Sequence, residues 1–422
     1  MTLANLALAL FVLAYVLFFA LPRIRSWVAA GVALLLLMTG CLTPGQAFWA
    51  INWNVMGIFV GTLVLAEAFI RSKAPAYLAE IIVNKAPNTA WAMLFICMLT
   101  SFLSIFIENV ATVLIVAPIA LSLAKKLNVV PIQMMIGIAI CSNLQGTATL
   151  IGDPPSMLLG GYAKMNFLDF FFYQGKPSIF FAVEIGAVVS TIFLYFVFRH
   201  LTEKQSLVAV ELVQSWGPTL LLVALIIALA LSSFVDPGFG FAAGILCIVF
   251  GLIALAWIKL VHKGSIRETV KGLDWDTTAF LMGIFIIVYG FTEAGWTDAL
   301  ASHLAEVIGD NVFLGYSILV LLAVIVSAFV DNVPFLAAML PVATKIAQEI
   351  GIAPQLFLFG LLIGASLGGN VTPIGASANI VATGLVRKEG HEVTLPQWLK
   401  ISIPFTVAAV LPAYLFIWFI WR

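Results

Sequence analysis

Two short motifs pair an acid with an asparagine inside otherwise apolar sequence. We call Glu108-Asn109 the first tip and Asp331-Asn332 the second tip. An ionisable side chain at membrane depth costs roughly 2.5–3.5 kcal/mol or more, so its presence favours a functional role. The structural alternative is that each acid caps a helix at a hydrated turn. Because the two motifs match each other, we favour proton or cation coupling for both acids.

Two longer polar segments, rich in glycine and proline, also interrupt the apolar sequence. They are the first break, residues 142–156, and the second break, residues 366–379. Such clusters unwind a helix and leave backbone N–H and C=O groups unpaired. In lipid, these groups persist only where protein or a water-filled cavity satisfies them. Asp153, directly before Pro154, has two readings of equal weight: an N-cap that restarts a helix, and a proton- or cation-linked carboxylate.

The composition places these motifs in a membrane. The 422 residues are 63% hydrophobic and 9% charged, whereas soluble domains carry about 25% charged residues. Zero net charge without a Lys/Arg-rich run argues against nucleic acid as a partner. The four cysteines stand alone and no HExxH motif occurs, so we predict no catalytic residue, no metal site and no enzyme activity.

Ten apolar runs are long enough to cross the roughly 30 Å of hydrocarbon in a bilayer. They lie near residues 4–22, 27–43, 54–70, 131–163, 177–198, 216–235, 238–260, 277–295, 354–385 and 402–421. Two further stretches, 89–124 and 312–344, contain the tips. Their second limbs, 110–124 and 333–344, are short for full crossings, so we expect two re-entrant hairpins.

The placement of lysine and arginine predicts the orientation. With the N-terminus outside, one side of the membrane receives 16 Lys and Arg residues, Lys204 among them, and the other side receives four. We therefore expect a multi-pass protein of the cytoplasmic (inner) membrane with both termini outside. The lipid bilayer is its first partner, and the sequence gives no oligomeric state.

The chain also repeats itself. The motif ENV at 108–110 recurs as DNV at 331–333, and TLIG at 149–152 recurs as TPIG at 372–375, each 223 residues later. Each half holds five full crossings, an odd number, so the second copy must insert upside down. Inverted repeats of this kind place a binding site at their interface near the bilayer midplane.

These observations predict an all-α polytopic membrane protein of two inverted repeats. Each repeat has five transmembrane helices and contains a re-entrant hairpin and a discontinuous helix. The predicted repeats are residues 1–205, with a hairpin at about 89–124 and a broken helix at about 131–163, and residues 206–422, with a hairpin at about 312–344 and a broken helix at about 354–385. This architecture indicates alternating access, with the two halves moving around a central site.

The residue types of the tips and breaks narrow the solute. Neither lysine nor arginine occurs in them, so a phosphate or other polyanion would lack its usual clamp. Carboxamides, hydroxyls and carboxylates suit a small neutral polyol-like solute, a hydrated cation or a proton. A channel lined by the unwound segments is an alternative from another functional class.

At these motifs the chain resembles the ion transporter superfamily, over essentially its whole length. The most similar branch is that of the arsenical pump membrane proteins (arsenite permeases), related to the P protein and to sodium/proton antiporters. The resemblance is carried by ENVATVLIVAP (108–118), GTATLIGDPPS (146–156), DNVPFLAAMLP (331–341) and GGNVTPIGASAN (368–379). It implies two re-entrant hairpins and two discontinuous helices around a central site.

The resemblance also implies roles for individual residues. Solute-binding residues would be Asn109, Thr112, Asn143, Asn332, Thr372 and Asn379, and polar side chains of the same breaks complete this set: Thr147, Thr149, Asn370 and Ser377. Protons or cations would be handled by Glu108, Asp153 and Asp331. Dicarboxylate carriers of the superfamily have Ser-Asn-Thr at both tips. The tips of this chain differ, which disfavours a dicarboxylate.

The function implied is proton-coupled efflux of arsenite and antimonite, with sodium/proton antiport as the alternative and an anion carrier or channel ranked lower. Arsenite is mainly an uncharged trihydroxide at neutral pH. Only Cys141 lies near a motif, so hydrogen bonds to the hydroxyls would replace the thiolates that As(III) prefers. No cofactor is expected beyond a proton or sodium gradient. The expected ligand is a small inorganic solute, and a cytoplasmic arsenite ATPase is a candidate partner.

Overall fold

The structure is a computed structural model that describes residues 2–127, 129–202, 212–309 and 311–422. The predicted boundary between the repeats, at residues 205 and 206, and Lys204 lie outside the described residues. The described residues form α-helices, two 3-10 helices, η1 (Pro22–Ile24) and η2 (Leu168–Phe170), and one antiparallel pair of short strands, β1 (Phe172–Tyr173) and β2 (Lys176–Pro177).

The α-helices fall into two series with the same order, and eight of the ten pairs of described helices differ in length by at most two residues. The first series is α1 (Leu3–Ala20), α2 (Arg25–Met38), α3 (Pro44–Ala50), α4 (Trp53–Arg71), α5 (Ala74–Lys85), α6 (Thr89–Ser104), α7 (Asn109–Leu127), α8 (Ile132–Gly146), α9 (Pro154–Ala163) and α10 (Ile179–Phe198). The second series is α11 (Gly217–Val235), α12 (Ala242–Leu260), α13 (Ile266–Gly272), α14 (Trp275–Glu293), α15 (Trp296–Ile308), α16 (Val312–Ser327), α17 (Asn332–Ile350), α18 (Gln355–Gly368), α19 (Ser377–Lys388) and α20 (Leu395–Trp421).

Nine of the described helices are long and apolar enough to cross a membrane: α1, α4, α7, α10, α11, α12, α14, α17 and α20. The outermost of these present mostly apolar side chains outward, since only 22% of the residues in α1 and in α11 are buried. By contrast, most residues of α4 are buried. This gradient is what a bundle in lipid requires, and the prediction of an all-α polytopic membrane protein is confirmed.

Each tip joins two antiparallel helices, α6 to α7 and α16 to α17. The second limbs are longer than the sequence suggested, because α7 and α17 each extend over 19 residues. Lys125 and Lys126 end the apolar run in the first hairpin but not its helix. Charged residues in a last helical turn reach polar surroundings without breaking the backbone hydrogen bonds. Hydropathy therefore marked the end of the apolar surface rather than the end of the helix.

The two series are interleaved rather than side by side. Helix α4 of the first series packs on α12 of the second, and α14 of the second packs on α2 of the first. Gly61 makes the first contact close: a Cβ there would lie 2.2 Å from the backbone carbonyl carbon of Cys247. Small residues allow such backbone approach in membrane bundles. The interleaving brings both tips and both breaks to one central region.

Candidate functional site

Each tip acid caps the helix that follows it. In the first tip, Glu108 Oε2 accepts hydrogen bonds from the backbone N–H groups of Val110 (2.9 Å) and Ala111 (3.1 Å). In the second, Asp331 Oδ1 accepts from Val333 N at 3.1 Å. The capping role is therefore real, but it leaves Asp331 Oδ2 free for another partner. Capping and coupling are compatible roles for the same carboxylate.

The hairpins are joined to the breaks by the same two hydrogen bonds in both series. Serine hydroxyls before the tips donate to α8 and α18: Ser104 Oγ lies 2.9 Å from the carbonyl of Ser142, and Ser327 Oγ lies 2.5 Å from that of Ala365. Hydroxyls of the breaks donate back to the hairpins, from Thr149 to the Ile105 carbonyl and from Thr372 to the Ala328 carbonyl. All of these partners correspond at the 223-residue spacing. Thr149 and Thr372, predicted as solute ligands, thus use their protons on the backbone.

Each break closes on itself through one glycine. A Cβ at Gly152 would lie 2.3 Å from the carbonyl oxygen of Gly146, and a Cβ at Gly375 would lie 2.6 Å from that of Gly369. Real Cβ atoms do not approach backbone oxygen so closely. Glycine is therefore required at both positions by close approach of the backbone.

Three buried asparagines connect the two breaks. Asn143 Nδ2 donates to Asn370 Oδ1 (2.9 Å) and to Asn379 Oδ1 (2.8 Å). Asn379 Nδ2 donates to the carbonyls of Gly369 and Thr372, both at 2.8 Å. All three asparagine side chains are at most 2% exposed. The predicted solute ligands Asn143, Asn370 and Asn379 thus form one cluster at the junction of the two series.

This asparagine cluster is not fully satisfied. Among the described residues, the buried atoms without a hydrogen-bond partner include Asn143 Oδ1, Asn370 Nδ2, Gln145 Oε1 and Ser366 Oγ, all in or beside the breaks. An unpaired buried polar group costs about 1–3 kcal/mol. The junction therefore offers both donors and acceptors to a polar ligand.

Asp153 caps α9, as one of its two predicted roles required. Its Oδ1 accepts from Ser156 N at 2.9 Å, and Thr147 Oγ1 lies 3.5 Å from its Oδ2. Asp153 is 1% exposed. The corresponding residue of the second break is Ala376, so this buried acid belongs to one break only. The cap does not exclude the coupling role, because a capping carboxylate still carries a charge.

A small cavity of about 40 Å³ lies where the tips and breaks meet. It is lined by Arg25, Glu108, Asn109, Val110, Asn143, Pro154, Pro155, Asp274, Thr277, Phe280, Asp331, Asn332, Val333 and 376–378. Of the predicted residues, Glu108, Asn109, Asn143, Asp331, Asn332 and Ser377 line this cavity, whereas Thr112, Thr147, Thr149, Asp153, Asn370, Thr372 and Asn379 do not. A volume of this size holds about one water molecule. A larger solute requires the tips to move.

Sequence reasoning missed Arg25, the basic residue of this cavity. Its Nη1 pairs with Asp331 Oδ2, its Nη2 donates to Thr277 Oγ1 at 3.0 Å, and its Nε lies 3.6 Å from Asp276 Oδ2. Its guanidinium carbon lies 4.8 Å from the ring centroid of Phe280. The tips and breaks indeed lack lysine and arginine, but the site does not. Arg25 and Arg23 both read as loop charges in the sequence, and no sequence signal separates them.

Within the described residues, no group of three or more His, Cys, Asp or Glu side chains is arranged to hold a metal ion. Cys141, the cysteine nearest a motif, is buried in α8 and does not line the cavity. The side chains that line the cavity offer hydrogen bonds and charge pairs to a ligand.

Comparison with known sequences indicates the family of the chain. A sequence model of the CitMHS family, described as "Citrate transporter", matches residues 15–259 and 245–422. The chain is similar to the uncharacterized transporter Rv2684 of Mycobacterium tuberculosis, with 26% identity over 98% of this chain and 97% of the relative. It is also similar to the P protein of Mus musculus, with 24% identity over 84% of this chain and 52% of the longer relative.

Among solved structures, the chain is similar to the Alcanivorax borkumensis YdaH transporter. The TM-score is 0.62 at 13% sequence identity, covering 91% of this chain and 88% of the other. At that identity the likeness shows the fold alone. The predicted relation to the P protein is confirmed. The family that matches is the citrate transporter family, and the arsenite permease branch is not confirmed. The chain is therefore a membrane transporter, not an enzyme, and belongs to the CitMHS family of the ion transporter superfamily.

Proposed function

We propose that this protein is a cation-coupled secondary active transporter of the cytoplasmic (inner) membrane, with both termini outside. The observation that supports this most is the junction of the two breaks. There, Asn143 of one series bonds Asn370 and Asn379 of the other, and polar atoms are left without partners. A solute that satisfies these atoms would bind both repeats at once, as alternating access requires.

We propose that the coupling ion is a proton or sodium and that Glu108, Asp153 and Asp331 exchange it. All three acids lie in the tips or breaks, where the surrounding sequence is apolar. Glu108 and Asp331 line the cavity from opposite series. A gain of a proton or cation by either acid changes the charge that the cavity presents to a solute. Binding of the ion and binding of the solute are then linked through electrostatics.

The charge of the cavity bears on the solute. Its described lining holds three acids, Glu108, Asp274 and Asp331, and one base, Arg25. A free tricarboxylate would meet net repulsion there, and it would need to arrive with part of its charge neutralised. The family description names citrate. We propose as the best candidate solute a small carboxylate such as citrate, bound as a complex with a divalent cation.

Efflux of arsenite or antimonite is the second candidate. It is favoured by the neutral donors and acceptors of the asparagine cluster, which suit an uncharged trihydroxide. A cytoplasmic arsenite ATPase would belong to that function only. Sodium/proton antiport is favoured by the tip acids alone and needs no solute at the junction.

The test uses the full chain in proteoliposomes with a pH-sensitive dye inside. Citrate, citrate with Mg²⁺, arsenite, antimonite, sodium and lithium are offered in turn. Wild type is compared with Asp331→Asn and with Asp298→Asn, a control whose side chain is 62% exposed. We expect proton movement evoked by citrate with Mg²⁺, lost in Asp331→Asn and kept in Asp298→Asn.

The other responses assign the other functions. A response to arsenite and antimonite alone would replace the first candidate by the second. A response to sodium or lithium alone would make the chain a cation antiporter. Solute flux without proton movement, surviving both Glu108→Gln and Asp331→Asn, would indicate a channel and contradict coupled transport.

A further inference from the structure

Arg25 lies at the first residue of α2 and joins three separate elements. Its guanidinium contacts the second tip through Asp331 and the start of α14 through Thr277 and Asp276. The ring of Phe280 lies against the guanidinium. The Arg25 side chain is 15% exposed, so these contacts are made with little water around them. A guanidinium in such a position is oriented before any ligand arrives.

Arginine binds carboxylates through two parallel N–H donors, which makes it selective for planar anions. In this structure one of those donors is used by Asp331 Oδ2 and another by the neutral hydroxyl of Thr277. Asp331 Oδ2 therefore occupies one of the donors that a carboxylate of a solute would use. Of the described residues that line the cavity, only Arg25 is basic.

Among the residues that the structure describes, Glu108 of the first tip has no ion pair like that of Asp331 with Arg25. Glu108 accepts hydrogen bonds from the backbone N–H groups of Val110 and Ala111 in its own helix, α7. Asp331 uses one oxygen for its helix and the other for Arg25. The ion pair thus ties the second tip to α2 and α14, which are elements outside its own hairpin. Breaking the pair frees both a guanidinium and the second tip.

We propose that Arg25 is the anion-selecting residue of the cavity and that Asp331 is its built-in competitor. When Asp331 binds the coupling proton or cation, its ion pair with Arg25 breaks. The Arg25 guanidinium then binds a carboxylate of the solute. Thr277 and Phe280 continue to orient Arg25 during this exchange. This inference rests on the proposed cation-coupled transport of a carboxylate and names the residue that recognises it.

The other charged residues around the Arg25–Asp331 ion pair determine how anion binding depends on the protonation of Asp331. Asp276 and Asp274 at the start of α14, and Glu108 on the first tip, face the same region. With Asp331 ionised, four acids surround one arginine and a further carboxylate is repelled. With Asp331 neutralised, one negative charge is lost and Arg25 is available. Anion binding is therefore expected to strengthen as the pH falls.

The test measures binding of citrate, in the presence of Mg²⁺, to the purified full chain by calorimetry at several pH values. Arg25→Gln is expected to weaken binding about 10- to 100-fold, because a charged hydrogen-bond donor is lost. Arg25→Lys keeps the charge without the fork and is expected to fall between Arg25→Gln and wild type. Asp331→Asn is expected to bind citrate more tightly than wild type, with a weaker pH dependence, although its coupled transport is lost.

The anion-selecting role predicts weaker citrate binding in Arg25→Gln and tighter citrate binding in Asp331→Asn. A pair with only a structural role would give affinity changes of the same sign in Arg25→Gln and Asp331→Asn, since both open the same contact. That result would overturn the role of Arg25 and leave citrate transport standing. Arg23→Gln, an exposed arginine in the preceding turn, is the control and should bind like wild type. If Arg25→Gln does not fold, Arg25→Lys gives the sign of the effect.

Failure of the proposed function gives a different result. Wild type would then bind neither citrate with Mg²⁺ nor citrate alone at any pH. That outcome would overturn both the carboxylate solute and the anion-selecting role of Arg25. Binding by wild type together with unchanged affinity in Arg25→Gln would overturn the role of Arg25 alone.

Discussion

The two tips share a motif but differ in what they touch. Glu108 turns back on the N-terminus of its own helix, whereas Asp331 reaches across to Arg25 on α2. The hydrogen bonds behind the tips, from Ser104 and Ser327 to the breaks, are equivalent. The repeat therefore fixes the position of each acid in its hairpin. Residues that do not repeat, such as Arg25, determine which side chain each acid contacts.

The breaks show the same contrast. Both require glycine, at Gly152 and Gly375, because of the same close backbone approach. The first break restarts its helix with the carboxylate of Asp153. The second has Ala376 there, and Asn379 donates to carbonyls inside the break instead. One break thus holds a charge and the other a neutral amide, which makes the junction asymmetric although its backbone is repeated.

The comparison of the tips predicts unequal costs when their partners are removed. Arg25→Met leaves Asp331 and Asp276 without a counter-charge, and we expect a loss of about 2–3 kcal/mol in unfolding free energy, reduced from the usual cost for fully buried pairs because both groups are partly exposed. Glu108→Ala removes an N-cap and is expected to cost about 1 kcal/mol. Denaturant unfolding of the purified protein in detergent measures both. Equal costs would contradict the proposed difference between the tips.

We expect alanine substitution of the glycine in each break to reduce stability by a similar amount. Gly152→Ala and Gly375→Ala each force a Cβ against a backbone oxygen, so each should lower the unfolding free energy by about 1–3 kcal/mol. Gly384→Ala in α19 is the matched control, since a Cβ there meets nothing within 4 Å. The control should be neutral or slightly stabilising. Thermal unfolding of the three variants is the measurement, and a tolerant Gly375→Ala would show that the second break is open to rearrangement.

Asp153, which has no acidic counterpart in the second break, allows the capping role to be separated from the coupling role. Asn caps a helix about as well as Asp, so Asp153→Asn should keep the melting temperature and lose proton-coupled transport. Asp153→Ala should lose both, with a stability cost of about 1–2 kcal/mol. Melting curves and the proteoliposome assay on the same samples separate the two roles. Retained transport in Asp153→Asn would reduce this residue to a cap.

The sequence predicted the fold well because hydropathy, prolines and matched acids are local signals that survive without contacts. It also predicted Asn143, Asn379 and both tip acids as site residues. Of these, Asn143 and the two acids line the same cavity, whereas Asn379 bonds Asn143 without lining it. It missed Arg25 because a single arginine in a loop has no period and no motif. Its position depends on how α2 packs on α14, which involves residues about 250 positions away. The packing of α2 on α14 has its counterpart in that of α12 on α4, but the repeat does not show which residue of α2 contacts the second tip.

The smallest expected effects concern the threonines that the sequence assigned to solute binding. Thr149→Val and Thr372→Val each remove one hydrogen bond to a hairpin carbonyl, and we expect each to cost about 1 kcal/mol of stability. Because both hydroxyl protons are used on the backbone, solute affinity should change less than threefold. Calorimetry with citrate and Mg²⁺, run beside denaturant unfolding, gives both quantities. A large loss of solute affinity in Thr372→Val alone would mean that the Thr372 hydroxyl contacts the solute when the second tip moves. Thr149 and Thr372 would then have different roles, although both make the same hydrogen bond in this structure.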